Sequence, residues 1–438
     1  MNYLPKRLAD KIISQKPSDL KPYAGNARKH SAKQIDQIAK SIKKFGFTNP
    51  ILVDEHNNVI AGHGRITAAK QLGMSEVPTA CINGLSEADR KAYVIADNRL
   101  AELAEWDEGV LKLEYESILD LEPGFDLDSI GFSDAEVTKI LDPLEAVEPE
   151  DAVPEVDTSV PAITKLGDIW QLGNHRLICG DSLCEQTYIS LMGGEPAQMI
   201  FTDPPYNVPV DGHVCGLGKV KHDDFAMASG EMTSEEFTGF LKNCFKQLAK
   251  HSDDGSIHYV CMDWRHMSEI LAAGGSHYAE LKNLIVWNKD NGGMGSFYRS
   301  KHELIFAFKN GSAKHINNFE LGQHGRYRTN VWDYAGINSL KEGRDEQLAM
   351  HPTVKPTQLV ADAILDCSKR GGIILDAFSG SGTTIIAAEQ TARQCRAIEL
   401  DPHYCDVAIK RWQAMTGKQA THTGLDVKFD DLRSSPPN

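Results

Sequence analysis

The segment from Gly372 to Glu399 constrains the fold of this 438-residue chain more than any other stretch. Its pattern is typical of an apolar strand that ends at Asp376, a glycine-rich turn, a helix, and a second strand that ends at Glu399. Two strands joined by a helix pair in parallel with a right-handed connection, and parallel sheets are covered by helices on both faces. The segment therefore predicts an α/β domain with a doubly wound, Rossmann-like sheet.

The glycine-rich turn points to a ligand that is not held like a simple phosphate. It departs from G-x-G-x-x-G, and no G-K-[ST] follows it, so it is not a P-loop. Glu399 lies 17 residues after Gly382, which is close to the spacing at which an acid binds ribose hydroxyls in nucleotide sites. An acid beside the turn, Asp376, suits a ligand with a cationic or zwitterionic end.

A second motif, Asp203-Pro204-Pro205-Tyr206, ends the apolar run from Gln198 to Thr202. The prolines stop a strand and fix a rigid turn that exposes the Asp203 carboxylate and the Pro204 carbonyl. Two acceptors and an aromatic ring suit a planar group with an exocyclic amino group, which could donate two hydrogen bonds and stack on Tyr206. Taken alone, the same four residues also fit an ordinary turn.

The order of the two motifs, with about 170 residues between them, resembles the S-adenosylmethionine-dependent amino-methyltransferases of DNA in the permuted arrangement called class β. The resemblance covers about residues 164–415 and includes Cys179-Gly180-Asp181-Ser182 and His351-Pro352-Thr353-Val354-Lys355-Pro356. It implies that a flipped base is held by Asp203, Pro204, Pro205 and Tyr206. It also implies that S-adenosylmethionine is held by Asp181, Lys355, Asp376, Phe378, Gly380, Gly382, Thr383 and Glu399. Without the resemblance, Asp181 would be a helix cap and Lys355 a solvated charge.

The chemistry implied by the resemblance needs no metal and no covalent enzyme intermediate. The amino nitrogen of a base is a poor nucleophile, and acceptors on its hydrogens localise its lone pair for in-line attack on a sulfonium methyl. No cysteine lies at the turn, whereas methylation at ring carbon C5 would require one. In the family, Asp at the first position favours adenine N6; cytosine N4 remains an alternative, and Gln-directed members usually carry N-P-P-Y.

The first part of the chain resembles the ParB/sulfiredoxin-like domain over about residues 14–105. A strand, the residues Gly62-His63-Gly64-Arg65 and a helix match the family's G-x-x-R-x-x-A box, and Arg28 matches a second phosphate-contacting segment. The resemblance implies a small α+β domain whose phosphate pocket is formed by Arg28, Gly62, His63, Gly64 and Arg65 and takes a nucleotide. A degenerate module that only helps to hold DNA or a partner is the alternative, and the sulfiredoxin branch lacks support because residues 61–65 contain no cysteine.

Charge divides the chain into three segments. Residues 106–160 hold 2 basic and 17 acidic residues, so the net charge of this segment equals the net charge of the whole chain, −15. We expect a ParB-like domain at 1–105, a helical stretch with an acidic, proline-containing linker at 106–160, and the methyltransferase domain at 161–438. Residues 281–330 hold eight basic and three acidic residues, so we place target recognition at about 290–350 and DNA contacts at Arg299, Lys301, Arg326 and Arg328.

The remaining sequence features limit the cellular setting. No apolar run approaches the ~18 residues of a membrane span, and the first residues carry no secretory signal. The nine cysteines are scattered without a C-x-x-C pair, which predicts reduced thiols in the cytoplasm and no zinc site. We therefore expect a cytoplasmic adenine-N6 methyltransferase of double-stranded DNA. It is similar to the methyltransferases of restriction-modification systems, but we expect it to act without a partner endonuclease. A nucleotide-switched, ParB-like DNA-binding module is the alternative from another class.

Overall fold

A computed structural model describes residues 12–101, 103, 106–122, 125–141, 153, 156, 158–208, 230–290, 292, 297–319, 328–336 and 354–433. The chain divides into two compact units, Met1–Pro143 and Leu144–Asn438.

The first unit contains a small mixed sheet with helices packed on it. Its strands are β1 (Ile13–Gln15), β2 (Ile51–Val53), β3 (Val59–Ala61) and β4 (Val77–Cys81). The sheet has the order β1-β4-β2-β3, in which β2 and β4 run parallel and the outer pairs run antiparallel. Helices α1 (Ala32–Phe45), α2 (His63–Gln71) and α3 (Glu87–Ala101) complete the α+β arrangement that the sequence predicts.

Local sequence signals explain where two of these helices begin. The Ser31 hydroxyl accepts a hydrogen bond from the Gln34 amide and caps α1, and Gly62 starts α2 in the left-handed region, at φ 100°. A further apolar core lies beyond α3, where Tyr115 and Val137 pack together between helices. Those helices are α4 (Glu108–Leu121), a 3-10 turn (Leu127–Ile130) and α5 (Asp134–Leu141).

The second unit is built on an eleven-stranded sheet. The central strands are β6 (His175–Cys179), β7 (Ala197–Thr202), β8 (Ser252–Met262), β12 (Ile373–Asp376) and β13 (Gln394–Glu399). These five strands are neighbours in the order β8-β7-β12-β13-β6 and run parallel. The flanking strands are β5 (Ile169–Leu172), β9 (Glu280–Asn288), β10 (His302–Lys309), β11 (Val331–Asp333), β14 (Thr421–His422) and β15 (Val427–Lys428).

Helices cover both faces of this sheet. Successive residues of β7 alternate between two apolar cores, with Met199 and Phe201 in one and Ile200 in the other. The helices are α6 (Glu185–Met192), α7 (Ser234–Lys250), α8 (Met267–His277), α9 (Thr357–Cys367), α10 (Thr383–Gln390), α11 (Pro402–Thr416) and α12 (Phe429–Arg433). A parallel centre with a helical layer on each face is the doubly wound α/β fold, so the predicted fold class is confirmed.

None of the helices that the structure describes is long and apolar enough to cross a bilayer.

Candidate active site

The two sequence motifs meet because their strands are neighbours. Strands β7 and β12 pair in parallel, with Ile374 opposite Met199, so their carboxyl ends lie at the same edge of the sheet. One cleft opens at that edge and is lined from both motifs. Of the residues predicted to hold a base or a cofactor, the following line it: Asp203, Pro204, Pro205, Tyr206, Lys355, Asp376, Phe378, Gly380, Thr383 and Glu399.

Two predicted cofactor residues, Asp181 and Gly382, support the cleft without lining it, although their sequence neighbours do. The Asp181 side chain accepts a hydrogen bond of 2.8 Å from the Leu183 amide within a local turn, whereas the N-cap of α6 is Cys184 and not Asp181. Gly382 begins α10 at φ 84°, and a Cβ there would lie 2.8 Å from the Cβ of Ala408. Gly382 therefore allows α10 and α11 to approach closely, the packing role of the third glycine in a dinucleotide turn.

Glu399 and Asp376 are the two acids of the predicted cofactor half. The Glu399 carboxylate accepts hydrogen bonds from the amides of Gly380 (2.7 Å) and Asp401 (2.9 Å). Burial nevertheless raises the pKa of Glu399 to about 7. Burial also raises the pKa of Asp376 to about 6, against hydrogen bonds from Thr384 and Thr202. Both acids are thus poised to respond to a ligand that brings hydroxyl groups or positive charge.

This half of the cleft fits S-adenosylmethionine in its donor set. Glu399 can accept from ribose hydroxyls, and the exposed face of Phe378 lines the same space. The Ser379 hydroxyl is buried and has no hydrogen-bond partner among the described residues, although it lies on the cleft wall. An unsatisfied hydroxyl beside two acids suits a polar, partly cationic ligand better than an apolar one.

The other half of the cleft holds Asp203 in a charged network. The Tyr206 hydroxyl donates to Asp203 Oδ1 over 2.6 Å, and the Lys355 ammonium donates to Asp203 Oδ2 over 2.5 Å. Burial raises the pKa of Asp203, and the ammonium of Lys355 opposes that rise. The sequence assigned Lys355 to the cofactor through its motif, whereas the structure places its ammonium on the acid of the D-P-P-Y turn.

Glu303 is a cleft residue that sequence reasoning missed. It lies near the start of β10, and its carboxylate contacts Lys355 over 3.1 Å and also binds Lys289. Burial alone would raise the pKa of Glu303, but the two lysines hold it at about 2. The sequence does contain a signal for Glu303, which is an acid directly before the apolar run Leu304–Phe308. A charge at the start of a buried strand requires a partner of opposite charge.

The four predicted DNA contacts have different environments. Arg299 and Lys301 are exposed, as a phosphate contact requires. Arg328 is not: its guanidinium donates to Asp366 over 3.0 Å and to Tyr334 over 3.0 Å and stacks on Trp332. Its charge is already balanced inside the unit, which favours a structural role for Arg328 over the predicted DNA contact. Arg326, residues 351–353 and much of the predicted recognition region lie outside the described residues.

The predicted phosphate pocket of the first unit is assembled in part. Gly62, His63, Gly64 and Arg65 form the start of α2, and the His63 ring accepts a hydrogen bond from the Tyr23 amide. The Arg65 guanidinium donates to the carbonyls of Asn49 (2.7 Å) and Pro50 (3.3 Å). Arg28 instead donates to Asn98 on α3.

Comparison with protein families gives three matches along the chain. Residues 7–98 match the ParB N-terminal domain, residues 110–166 the ParB-methyltransferase HTH domain, and residues 197–410 the DNA methylase family of N6/N4 type. The second match describes the region of α4 and α5, for which sequence analysis had offered only a helical stretch and linker.

Individual relatives agree with these matches. The ParB-like nuclease domain-containing protein YnaK of Escherichia coli is 47% identical over 81 residues, which are 18% of this chain and 93% of YnaK. The Type II methyltransferase M2.DpnII of Streptococcus pneumoniae is 29% identical, covering 52% of this chain and 86% of its own. The DNA adenine methyltransferase YhdJ of Escherichia coli is 27% identical, covering 54% and 81%.

Fold, cleft and family matches define the class: the chain is an enzyme of the DNA methylase class. More particularly, it belongs to the proteins that join a ParB N-terminal domain to an N6/N4-type DNA methylase domain. The predicted class is confirmed. The roles of individual site residues remain predictions.

Proposed function

We propose that the chain transfers a methyl group from S-adenosylmethionine to the N6 amino group of a flipped adenine in double-stranded DNA. The observation that carries the proposal is the shared cleft: the D-P-P-Y turn and the Asp376–Glu399 cofactor turn open into one space. A methyl donor and an acceptor held on neighbouring parallel strands can react without either leaving the protein.

The residues of the cleft would divide the work as follows. S-adenosylmethionine supplies an electrophilic methyl group on a sulfonium. Glu399 accepts from its ribose, and Asp376 faces its cationic end. Asp203 and the Pro204 carbonyl accept from the two hydrogens of the base's amino group, and the ring stacks on Tyr206. A base paired inside a duplex cannot reach this position, so it must leave the stack.

The choice of adenine is supported by the Asp at the first position of the turn and by the relative YhdJ, whose name specifies adenine. Cytosine N4 presents the same two hydrogens, and the cleft geometry described above accepts either base. Mass spectrometry of nucleosides from treated DNA separates N6-methyladenine from N4-methylcytosine and so decides between them.

Expression in a host that lacks DNA methylation, followed by methylation-aware sequencing, tests the function and reports the target sequence. We expect Asp203→Ala to abolish methyl transfer to DNA while the protein still binds S-adenosylmethionine. Methylation by the Asp203→Ala variant at the wild-type rate would contradict the assignment. Asp263→Ala is the matched control and should leave methylation intact, because Asp263 caps the 3-10 turn Trp264–His266 after β8 and does not line the cleft.

The ParB N-terminal domain supports a finer proposal, that a nucleotide binds at Gly62–Arg65 and modulates engagement of DNA. Under this reading Arg65→Ala changes DNA binding but not methyl transfer to a short duplex. If the chain were mainly a nucleotide-switched module, Arg65→Ala would lose function in cells while Asp203→Ala kept it. We also retain the prediction that the protein acts in the cytoplasm.

A further inference from the structure

The acid of the D-P-P-Y turn belongs to a partly buried set of four charged side chains, of which Lys355 is the most buried. Asp203 and Glu303 are the anions, and Lys355 and Lys289 are the cations. The Lys355 ammonium lies between the two carboxylates, 2.5 Å from Asp203 Oδ2 and 3.1 Å from Glu303 Oε2. Glu303 in turn binds Lys289 with its other oxygen. The set balances two negative with two positive charges.

Glu303 is the member of the set that lies on a paired strand of the sheet. It lies on β10 and pairs in register with Trp287 of β9, while Lys289 directly follows β9. Lys355 precedes α9 and is 6% exposed. A flexible lysine side chain takes its position from its partners. Glu303 therefore presents the Lys355 ammonium to Asp203. Because Lys355 is shared between two carboxylates, Lys289 supplies the remaining positive charge that balances Glu303.

Asp203 needs such a partner because its surroundings disfavour a carboxylate. Burial raises its pKa and the anion at Glu303 raises it further, while Lys355 and the Tyr206 hydroxyl oppose the rise. Among the described residues, Cys261 of β8 and Asp376 of β12 also interact with it electrostatically, and neither brings positive charge. A protonated Asp203 would lose acceptor capacity toward an amino group.

We propose that Lys355 and Glu303 are positioning residues of the transfer reaction: Glu303 anchors Lys355, and Lys355 keeps Asp203 a carboxylate while the base is bound. The proposal rests on the function proposed above. In the transfer the amino nitrogen forms the N–C bond with its lone pair, and the electron pair of the C–S bond stays on sulfur. The proton of one N–H bond leaves, its electron pair stays on nitrogen, and the Asp203 carboxylate receives the proton.

Neutralising Lys355 and neutralising Glu303 should shift the kcat–pH profile in opposite directions. A loss of packing alone would not produce shifts of opposite sign, so the two variants separate electrostatics from packing. Lys355→Met keeps the length of the side chain and removes its charge, so the pKa of Asp203 rises and the acid limb of the kcat–pH profile moves up by about one to three pH units. Lys355→Arg restores the charge and should return the limb toward its wild-type position. Glu303→Gln removes the neighbouring anion but keeps a side-chain oxygen that accepts from Lys355, so Lys355 stays beside Asp203 and the limb moves down, while the weaker anchor lowers the maximal rate.

The control is Lys309→Met, at the far end of β10 from Glu303, where the ammonium donates to the Ser312 carbonyl. It should keep the wild-type profile. A Lys355→Met enzyme with a lower maximal rate but an unmoved acid limb would overturn the proposal, as would equal shifts in Lys355→Met and Glu303→Gln. Glu303→Gln keeps the test available if Lys355→Met does not fold.

A second readout does not depend on turnover. In protein labelled with 13C at aspartate carboxyls, the signal of Asp203, assigned by its loss in Asp203→Asn, should titrate at higher pH in Lys355→Met than in wild type. An unchanged titration overturns the positioning role even if DNA is methylated. Absence of methyl transfer by the wild-type protein, with the titration shifted as expected, contradicts the proposed function and leaves the charge relationship standing.

Discussion

The Thr202 hydroxyl donates to Asp376 Oδ1 over 3.0 Å, so the last residue of β7 is bonded to the last residue of β12. The two residues are 174 positions apart in the chain, and each adjoins one of the two motifs. The same hydroxyl accepts from the Ala377 amide over 3.2 Å. A single threonine therefore fixes the base turn and the cofactor turn relative to each other.

We expect Thr202→Val, which keeps the shape of the side chain, to lower the free energy of unfolding by about 1–3 kcal/mol, because the Ala377 amide loses its partner and Asp376 Oδ1 loses one of its two donors. Affinity for S-adenosylmethionine should fall as well, since Asp376 loses a donor. Urea unfolding and calorimetric titration measure the two effects. Thr238→Val, whose exposed hydroxyl only bonds the Ser234 carbonyl within α7, should change neither. Equal unfolding free energies and equal cofactor affinities in Thr202→Val and Thr238→Val would contradict the proposed link between the two turns.

The sequence was sufficient to predict the strands, the turns and the shared edge of the sheet, because each depends on local residues and on the rule for parallel strands. It was not sufficient to predict Glu303 or Thr202, whose roles depend on partners more than 50 residues away. Lys355 shows the same limit: its motif indicated the cofactor, but the direction of a long side chain is decided by the charges around it. In the sequence, Arg328 is one of eight basic residues between positions 281 and 330. Its acidic partner Asp366 is evident only from the folded structure.

Glu399 should make the stability of the protein depend on pH in an unusual direction. Its pKa rises from 4.5 to about 7 on folding, so between these values the folded state binds more protons than the unfolded state. Its contribution to stability is therefore present at low pH and is lost as the pH rises toward 7. Urea unfolding at pH 5, 6, 7 and 8 should show wild type losing stability relative to Glu399→Gln as the pH increases.

The matched control is Glu389, whose pKa is lowered to about 2 chiefly by its hydrogen bond with His175. A lowered pKa gives stability that is present above 4.5 and is lost as the pH falls toward 2. Glu389→Gln should therefore carry a constant penalty from pH 5 to 8. A Glu399→Gln difference that is also flat across this range would show that Glu399 titrates normally.

Gly382 should tolerate no side chain. At φ 84°, an alanine would adopt a backbone conformation that L residues avoid, and its Cβ would lie 2.8 Å from Ala408. Gly371 has a similar φ of 74° with open space around it, so Gly371→Ala isolates the backbone cost of about 1–2 kcal/mol. Thermal and urea unfolding should show Gly382→Ala to be the more destabilised variant, with weaker cofactor binding because α10 moves. Equal destabilisation of Gly382→Ala and Gly371→Ala would show that α11 moves away from the new side chain at no cost in free energy.

The basic residues after β9 should divide into DNA contacts and a structural residue. Arg299→Ala and Lys301→Ala remove exposed charges, so each should weaken binding to any duplex and reduce the slope of log K against log salt by about one. Their unfolding free energies should stay close to wild type. Arg328→Ala should do the reverse, because it leaves Asp366 and Asp362 buried without their cation and destabilises the fold. Fluorescence anisotropy across a salt series, paired with urea unfolding, measures both; an Arg328→Ala protein of normal stability with a reduced salt slope would return Arg328 to the DNA surface.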